Sequence, residues 1–167
     1  KPTVKTGDRY ELGKSQILCA DSTDPKSVRQ LMNGKKAAAI YTDPPFNIGL
    51  SYEKGIGGTR NYGGHVDDSK PDGEYKEFLR KALGNGLSVC EKNAHIFVYH
   101  DSRYTWMLQE LFRELGVKYR RTCLWIKNNA TPTPNIAFNR QYEPALYGTI
   151  GEKPYLSPLS QNLSEIM

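Results

Sequence analysis

Cysteine is scarce. Cys19, Cys90 and Cys123 are the three cysteines in 167 residues, an odd set without regular spacing. That excludes a disulfide framework and fits a reducing cytoplasm. No apolar run approaches the roughly 20 residues a membrane helix needs, which excludes a membrane-spanning helix. No apolar segment opens the chain, so no secretory signal is visible. His65, His95 and His100 have no metal-like spacing with the cysteines, so no metal site is expected. Internal repeats and low-complexity tracts are also missing. The first residue is Lys1 rather than methionine, which reads as a processed or excised fragment.

What is present is a globular composition: 38% hydrophobic, 25% charged and 11% aromatic residues. The length fits one domain, long enough to bury roughly 70% of its unfolded surface. Twenty-three basic against 18 acidic residues give a formal net charge of +5. This suits a polyanionic partner such as nucleic acid, and equally an ordinary solvated surface. Basic clustering is modest: Lys35-Lys36, then Lys118, Arg120 and Arg121. Alternation along a strand puts Lys118 and Arg120 on one face and Arg121 on the other.

Tyr10–Leu12 and Gln16–Ala20 flank a Gly13-Lys14 turn and read as a hairpin. Ser22, Thr23 and Asp24 offer caps for a helix that starts at Pro25 and carries Val28, Leu31 and Met32 on one side. Gly34 stops it. Ala37–Tyr41 reads as a buried parallel strand. A polar, glycine-rich stretch follows over about residues 47–72 and is expected to be a flexible substrate loop. Within it, Gly55 to Arg60 is a near miss to a dinucleotide-binding fingerprint, and no strand precedes it. Asp72 caps a helix with an apolar stripe of Tyr75, Phe78, Leu79, Ala82 and Leu83, whose end Gly84 and Gly86 weaken. Ala94–Tyr99 is a second buried-type strand. Asp101 or Ser102 caps a helix carrying Met107, Leu108, Leu111 and Phe112, ended by Gly116. Val117–Lys127 and Pro144–Gly148 complete the strands, with Trp125 assigned to the core. The rhythm of strand, helix, strand, helix, strand points to an open α/β sheet.

The segment that carries chemistry is Thr42-Asp43-Pro44-Pro45-Phe46, directly after the Ala37–Tyr41 strand. Ligands of open α/β sheets bind outside the carboxyl ends of strands. Two prolines stiffen the backbone there and remove two N–H donors, leaving acceptors. Phe46 adds a flat apolar plate. Rigid acceptors beside a stacking surface suit an exocyclic amino group on a base, which must leave the duplex to be reached. The same tetrapeptide also makes an ordinary proline-rich turn.

Asp43-Pro44-Pro45-Phe46 resembles the catalytic Asp-Pro-Pro-aromatic motif of the S-adenosylmethionine-dependent DNA amino-methyltransferases. Tyr10-Glu11-Leu12-Gly13 and Leu18-Cys19-Ala20-Asp21-Ser22 resemble that family's lead-in. Leu124-Trp125-Ile126-Lys127-Asn128 and Tyr142-Glu143-Pro144-Ala145-Leu146-Tyr147-Gly148 resemble two of its later strands. Together these blocks span about residues 10 to 160.

The resemblance implies a Rossmann-like methyltransferase sheet, mostly parallel with a C-terminal antiparallel hairpin. It implies S-adenosyl-L-methionine as cofactor and double-stranded DNA with a flipped base as partner. The reaction is methylation of adenine N6, since Asp leads the motif. Cytosine N4 methylation and a non-catalytic nucleic-acid-binding module are the alternatives. Asp43, Pro44, Pro45 and Phe46 are the implied catalytic residues. Asp21, Ser22, Asp43 and Pro44 are implied at the cofactor. Asp21 and its neighbours serve equally well as helix caps. Ala20 stands where the family usually has Gly, and Tyr142 where it usually has His, so no role of that His carries over. The setting implied is the cytoplasm and nucleoid of a prokaryotic or phage-infected cell, often in restriction-modification.

The family's Phe-x-Gly-x-Gly cofactor loop is missing from these residues. In members with an early catalytic motif it lies towards the C-terminus. The expectation is therefore that residues 1–167 form the catalytic part only and turn over little alone. The rest of the cofactor site then comes from a removed C-terminal half, a second chain or a homodimer partner.

Overall fold

The computed structural model describes residues 3–51, 68–131, 137–152 and 166. The expectation of a flexible loop falls mainly on residues 52–67, outside the described residues, as does the Gly55–Arg60 near miss. The chain divides into two compact units: Lys1–Ala37 with Asn47–Glu91, and Ala38–Phe46 with Lys92–Met167.

The first unit opens with the expected hairpin, β1 (Arg9–Leu12) and β2 (Ser15–Leu18), paired antiparallel. Gly13 takes φ +61°, a turn conformation glycine adopts without steric cost. Helix α1 (Pro25–Met32) follows. Asp24 is its N-cap, accepting from the backbone N–H groups of Lys26 and Ser27 at 3.1 Å each. Asn33 ends it in the left-handed conformation. Helix α2 (Asp72–Ser88) buries Tyr75, Leu79 and Leu83, spaced four residues apart on one stripe. It runs through Gly84 and Gly86. Pro71, not Asp72, holds its cap position, and Asp72 is its first residue.

Asp68 organises the base of the glycine-rich segment. Its buried carboxylate accepts from the backbone N–H groups of Asn47, Ile48 and Leu50 at 2.7, 3.2 and 2.9 Å. The Asn47 amide pairs with the Lys70 backbone, donating at 2.9 Å and accepting at 2.6 Å. Hydrogen bonds to a charged partner contribute about 1.5–3 kcal/mol each.

A mixed sheet has the strand order β3 (Ala37–Thr42), β4 (Cys90–Tyr99), β6 (Arg140–Ile150), β5 (Lys118–Thr131). Strand β6 pairs antiparallel with both neighbours. The expected C-terminal hairpin is present, and its second strand inserts between β4 and β5. The sheet is thus more mixed than a mostly parallel one. Strand β3 is not the buried strand expected. It lies at the sheet edge and is largely exposed, with Tyr41 at 66%.

In the second unit, a 3₁₀ turn (Ser102–Tyr104) leads into α3 (Thr105–Glu114). Asp101 caps that turn, accepting from the Arg103 backbone N–H at 3.1 Å, as one of the two expected caps. Met107, Leu108, Leu111 and Phe112 are almost fully buried where α3 meets β5 and β6. Each such side chain contributes about 1.5–3 kcal/mol by leaving water.

Candidate active site

Strand alternation sorts the second unit's sheet into two faces. One carries Val98 opposite Leu146 and Ile96 opposite Gly148. Phe112 of α3 lies against Gly148 on that face. The other carries Phe97 opposite Tyr147, Tyr99 and Cys123 opposite Ala145, and Trp125 opposite Glu143. Tyr41 joins this aromatic face: its ring meets those of Phe97 at 5.9 Å and Tyr99 at 5.4 Å.

The motif lies where β3 ends. Asp43 is two residues beyond Tyr41, so alternation continues the aromatic face to it. Asp43 is exposed, whereas Pro44, Pro45 and Phe46 are half-buried. Phe46 packs against the cluster of Tyr99, Cys123 and Ala145. The structure therefore brings Asp43, Pro44, Pro45 and Phe46 together, and the aromatic ring has a fixed seat.

Among the described residues, no donor engages the Asp43 carboxylate. Partial desolvation and the Glu143 carboxylate push its pKa above the usual carboxylate value, and the Lys127 ammonium opposes them. Lys127 and Glu143 form an ion pair across β5 and β6, with side-chain exposures of 28% and 15%. Lys127 Nζ also lies 5.6 Å from the centre of the Trp125 ring, within cation–π range. Trp125 is 48% exposed rather than core, on the last named strand of the sheet, where the adjacent Leu124 makes an isolated parallel bridge to Ile166.

Tyr99 and Tyr41 share a 2.6 Å hydroxyl–hydroxyl hydrogen bond. Burial, that bond and the Asp43 charge push the Tyr99 hydroxyl strongly up, so it remains a neutral O–H near neutral pH. Neither tyrosine was singled out as a site residue from the sequence, and Lys127 and Glu143 appeared only inside motif blocks. Counting back by two from Asp43 finds Tyr41. The other three need the cross-strand register, which no local pattern reveals.

Asp21 and Ser22 belong to the first unit. Asp21 Oδ1 accepts from both the backbone N–H and the hydroxyl of Thr23, at 2.8 Å each. Among the described residues Oδ2 has no donor. The α1 cap is Asp24, so the cap role expected for this cluster does not rest on Asp21. The Ser22 carbonyl accepts from Asn85 Nδ2 at 3.0 Å. Among the described residues, no group of three metal-ligating side chains occurs. No helix of the described residues is long and apolar enough to cross a membrane.

Residues 37–165 match the N6/N4 methyltransferase family model, described as DNA methylase. The match includes Asp43–Phe46 and leaves out Asp21 and Ser22. No curated protein matches. The fold is similar to the crystal structure of M1.HpyAVI, with a TM-score of 0.55 and 17% identity over 86% of this chain. A crystal structure of the M1.HpyAVI–SAM complex gives a TM-score of 0.55 and 18% identity, again over 86% of this chain. The chain spans 62% and 58% of those two structures' lengths. With the family model covering most of its length, from β3 through the motif and both hairpin strands, the chain belongs to the N6/N4 DNA methylases.

Proposed function

We propose that the protein transfers a methyl group from S-adenosylmethionine to the N6 amino group of adenine in double-stranded DNA. The reading rests on one observation above others: Asp43, directly after β3, has a carboxylate with no donor among the described residues and stands beside a seated aromatic ring. An amino group presents two hydrogens and needs two acceptors. The Asp43 carboxylate and the Pro44 carbonyl supply them. The prolines contribute no N–H that competes for those acceptors.

Such a base is reached only after it leaves the duplex. The Phe46 ring then stacks on it, a contact of about 1–3 kcal/mol. Accepting both amino hydrogens leaves the nitrogen lone pair free to face the incoming methyl. The protein's share of catalysis is therefore positioning and preorganised charge. S-adenosylmethionine, when bound, supplies an electrophilic methyl on a sulfonium sulfur. An open carboxylate and carbonyl acceptors fit such a cationic group. Asp43 and Pro44 are the residues proposed to hold it in this unit. In the first unit, Asp21, whose Oδ2 has no donor among the described residues, and Ser22 are proposed to hold the cofactor's polar groups. The M1.HpyAVI–SAM complex, in a related fold, supports the same cofactor here. The +5 net charge favours the DNA polyanion.

Asp at the head of the motif favours adenine over cytosine. Incubation with methyl-labelled cofactor and unmethylated duplex DNA, followed by nucleoside mass spectrometry, tests this. N6-methyladenine is expected. N4-methylcytosine moves the assignment to the cytosine enzymes. No methylated base, also when the rest of the cofactor site is supplied, with salt-sensitive DNA binding retained, replaces it with a non-catalytic binding module.

A further inference from the structure

We propose that Lys127 and Glu143 act as a pair of positioning residues that set the charge state of Asp43, with Lys127 offsetting the Glu143 carboxylate so that Asp43 stays an ionised acceptor. The inference rests on the functional reading above.

The geometry of the pair comes from two strands. Trp125 of β5 stands directly opposite Glu143 of β6. Lys127 lies two residues beyond Trp125, on the same face, and reaches back diagonally to Glu143. The Trp125 ring lies beneath its ammonium. The Lys127 carbonyl accepts from Gln141 Nε2 at 3.3 Å, which ties the backbone at this point to β6. Both charged groups are sheltered enough that solvent screening is incomplete.

Within this unit, the charged and titratable groups facing Asp43 are few. Phe46 of the motif packs on Cys123 and Ala145, and Trp125 and Glu143 are the next residues of that face on β5 and β6, which sets the ion pair beside the motif. Among the described residues, Glu143 on β6 and Lys127 on β5 are the two whose charges act on Asp43. Tyr99 on β4, hydrogen-bonded to Tyr41 on β3, feels the Asp43 charge and stays neutral. Cys123 on β5 lies near Tyr99. Two carboxylates near each other disfavour joint ionisation. Without the Lys127 ammonium, Asp43 would take up a proton more readily and lose its value as a two-lone-pair acceptor.

Carboxyl-carbon NMR titration of Asp43 tests the pair without requiring turnover. Lys127→Met is expected to shift the Asp43 midpoint upward. Glu143→Gln is expected to shift it downward. The double variant should fall between them. Opposite shifts from the two single variants are not what simple loss of structure produces. The acid limb of the methyl-transfer pH profile should move in the same directions. Unchanged midpoints, or shifts of one sign in both single variants, overturn the proposal. If midpoints move as expected while neither wild type nor any variant methylates DNA with the rest of the cofactor site supplied, the pair stands and the methyltransferase reading falls. If wild-type transfer is measurable and its acid limb ignores both substitutions, the pair has no positioning role and the methyltransferase reading stands.

Discussion

His100 follows the last residue of β4 and has no solvent exposure. Nδ1 lies 3.2 Å from the Val98 carbonyl, and Nε2 lies 2.9 Å from the Thr105 hydroxyl. A carbonyl only accepts, so Nδ1 carries the proton of the neutral ring, and the one Thr105 hydroxyl proton is shared between Nε2 and the Ser102 carbonyl 3.0 Å away. Burial holds the ring's pKa below the ordinary histidine value of 6.5, against the Val98 bond and the Asp101 charge, which pull it up. The folded chain therefore keeps His100 neutral while the unfolded chain takes up a proton as pH falls through about 6.5. Its contribution to stability is complete above that value and is lost progressively below it. Urea unfolding between pH 8 and pH 5 should show stability falling towards acid, and His100→Gln should flatten that slope. An unchanged slope in the variant would assign the acid sensitivity elsewhere. Asp101, next in the chain, acts lower on the pH scale. Burial alone would raise its pKa, but the Arg103 backbone N–H and the Arg140 and Arg103 guanidiniums outweigh it. The cap role of Asp101 was legible in the sequence. Its bond to Arg140, 39 residues away, was not.

Elements with strong local signals were the legible ones. The β1–β2 hairpin, α1, α3 and β4 announce themselves through turn residues, caps and apolar spacing. Sequence patterns do not say which strand sits at a sheet edge, so Ala37–Tyr41 and Trp125 read as buried and are largely exposed. Nor do they reveal bulges. A register shift between Tyr119 and Arg121 interrupts the alternation on which the placing of Lys118, Arg120 and Arg121 relied. Gly148 shows the opposite case, where a motif residue has a structural reason. A Cβ there would lie 2.6 Å from Val117 Cγ1 and 2.8 Å from Phe112 Cε2. The glycine lets α3 approach β6. Gly148→Ala is therefore expected to destabilise the fold by about 1–3 kcal/mol through overpacking. Denaturant unfolding measures this, and wild-type stability in the variant would mean that α3 can shift at little cost.

At the scale of the whole molecule, the sheet and the Asp43–Phe46 segment support the proposed chemistry. An open α/β sheet places an acidic strand end where such sheets bind ligands. The family match runs through that strand end and the hairpin behind it. The four residues proposed for the site stand out in the sequence because they are contiguous. Their surroundings were not, because Tyr99, Lys127 and Glu143 come from three further strands. Asp21 and Ser22 lie in the other compact unit, so their proposed role at the cofactor is tested separately from that of Asp43. The account stands on the Asp43 carboxylate as the acceptor that orients the amino group. Single-turnover methyl transfer to duplex DNA by wild-type protein and Asp43→Ala, with DNA binding measured on the same samples, tests it most directly. Loss of a preorganised group at a reacting centre costs about 100-fold or more in rate. The account predicts a loss of that size with DNA binding not weakened. Transfer at the wild-type rate by Asp43→Ala would contradict it.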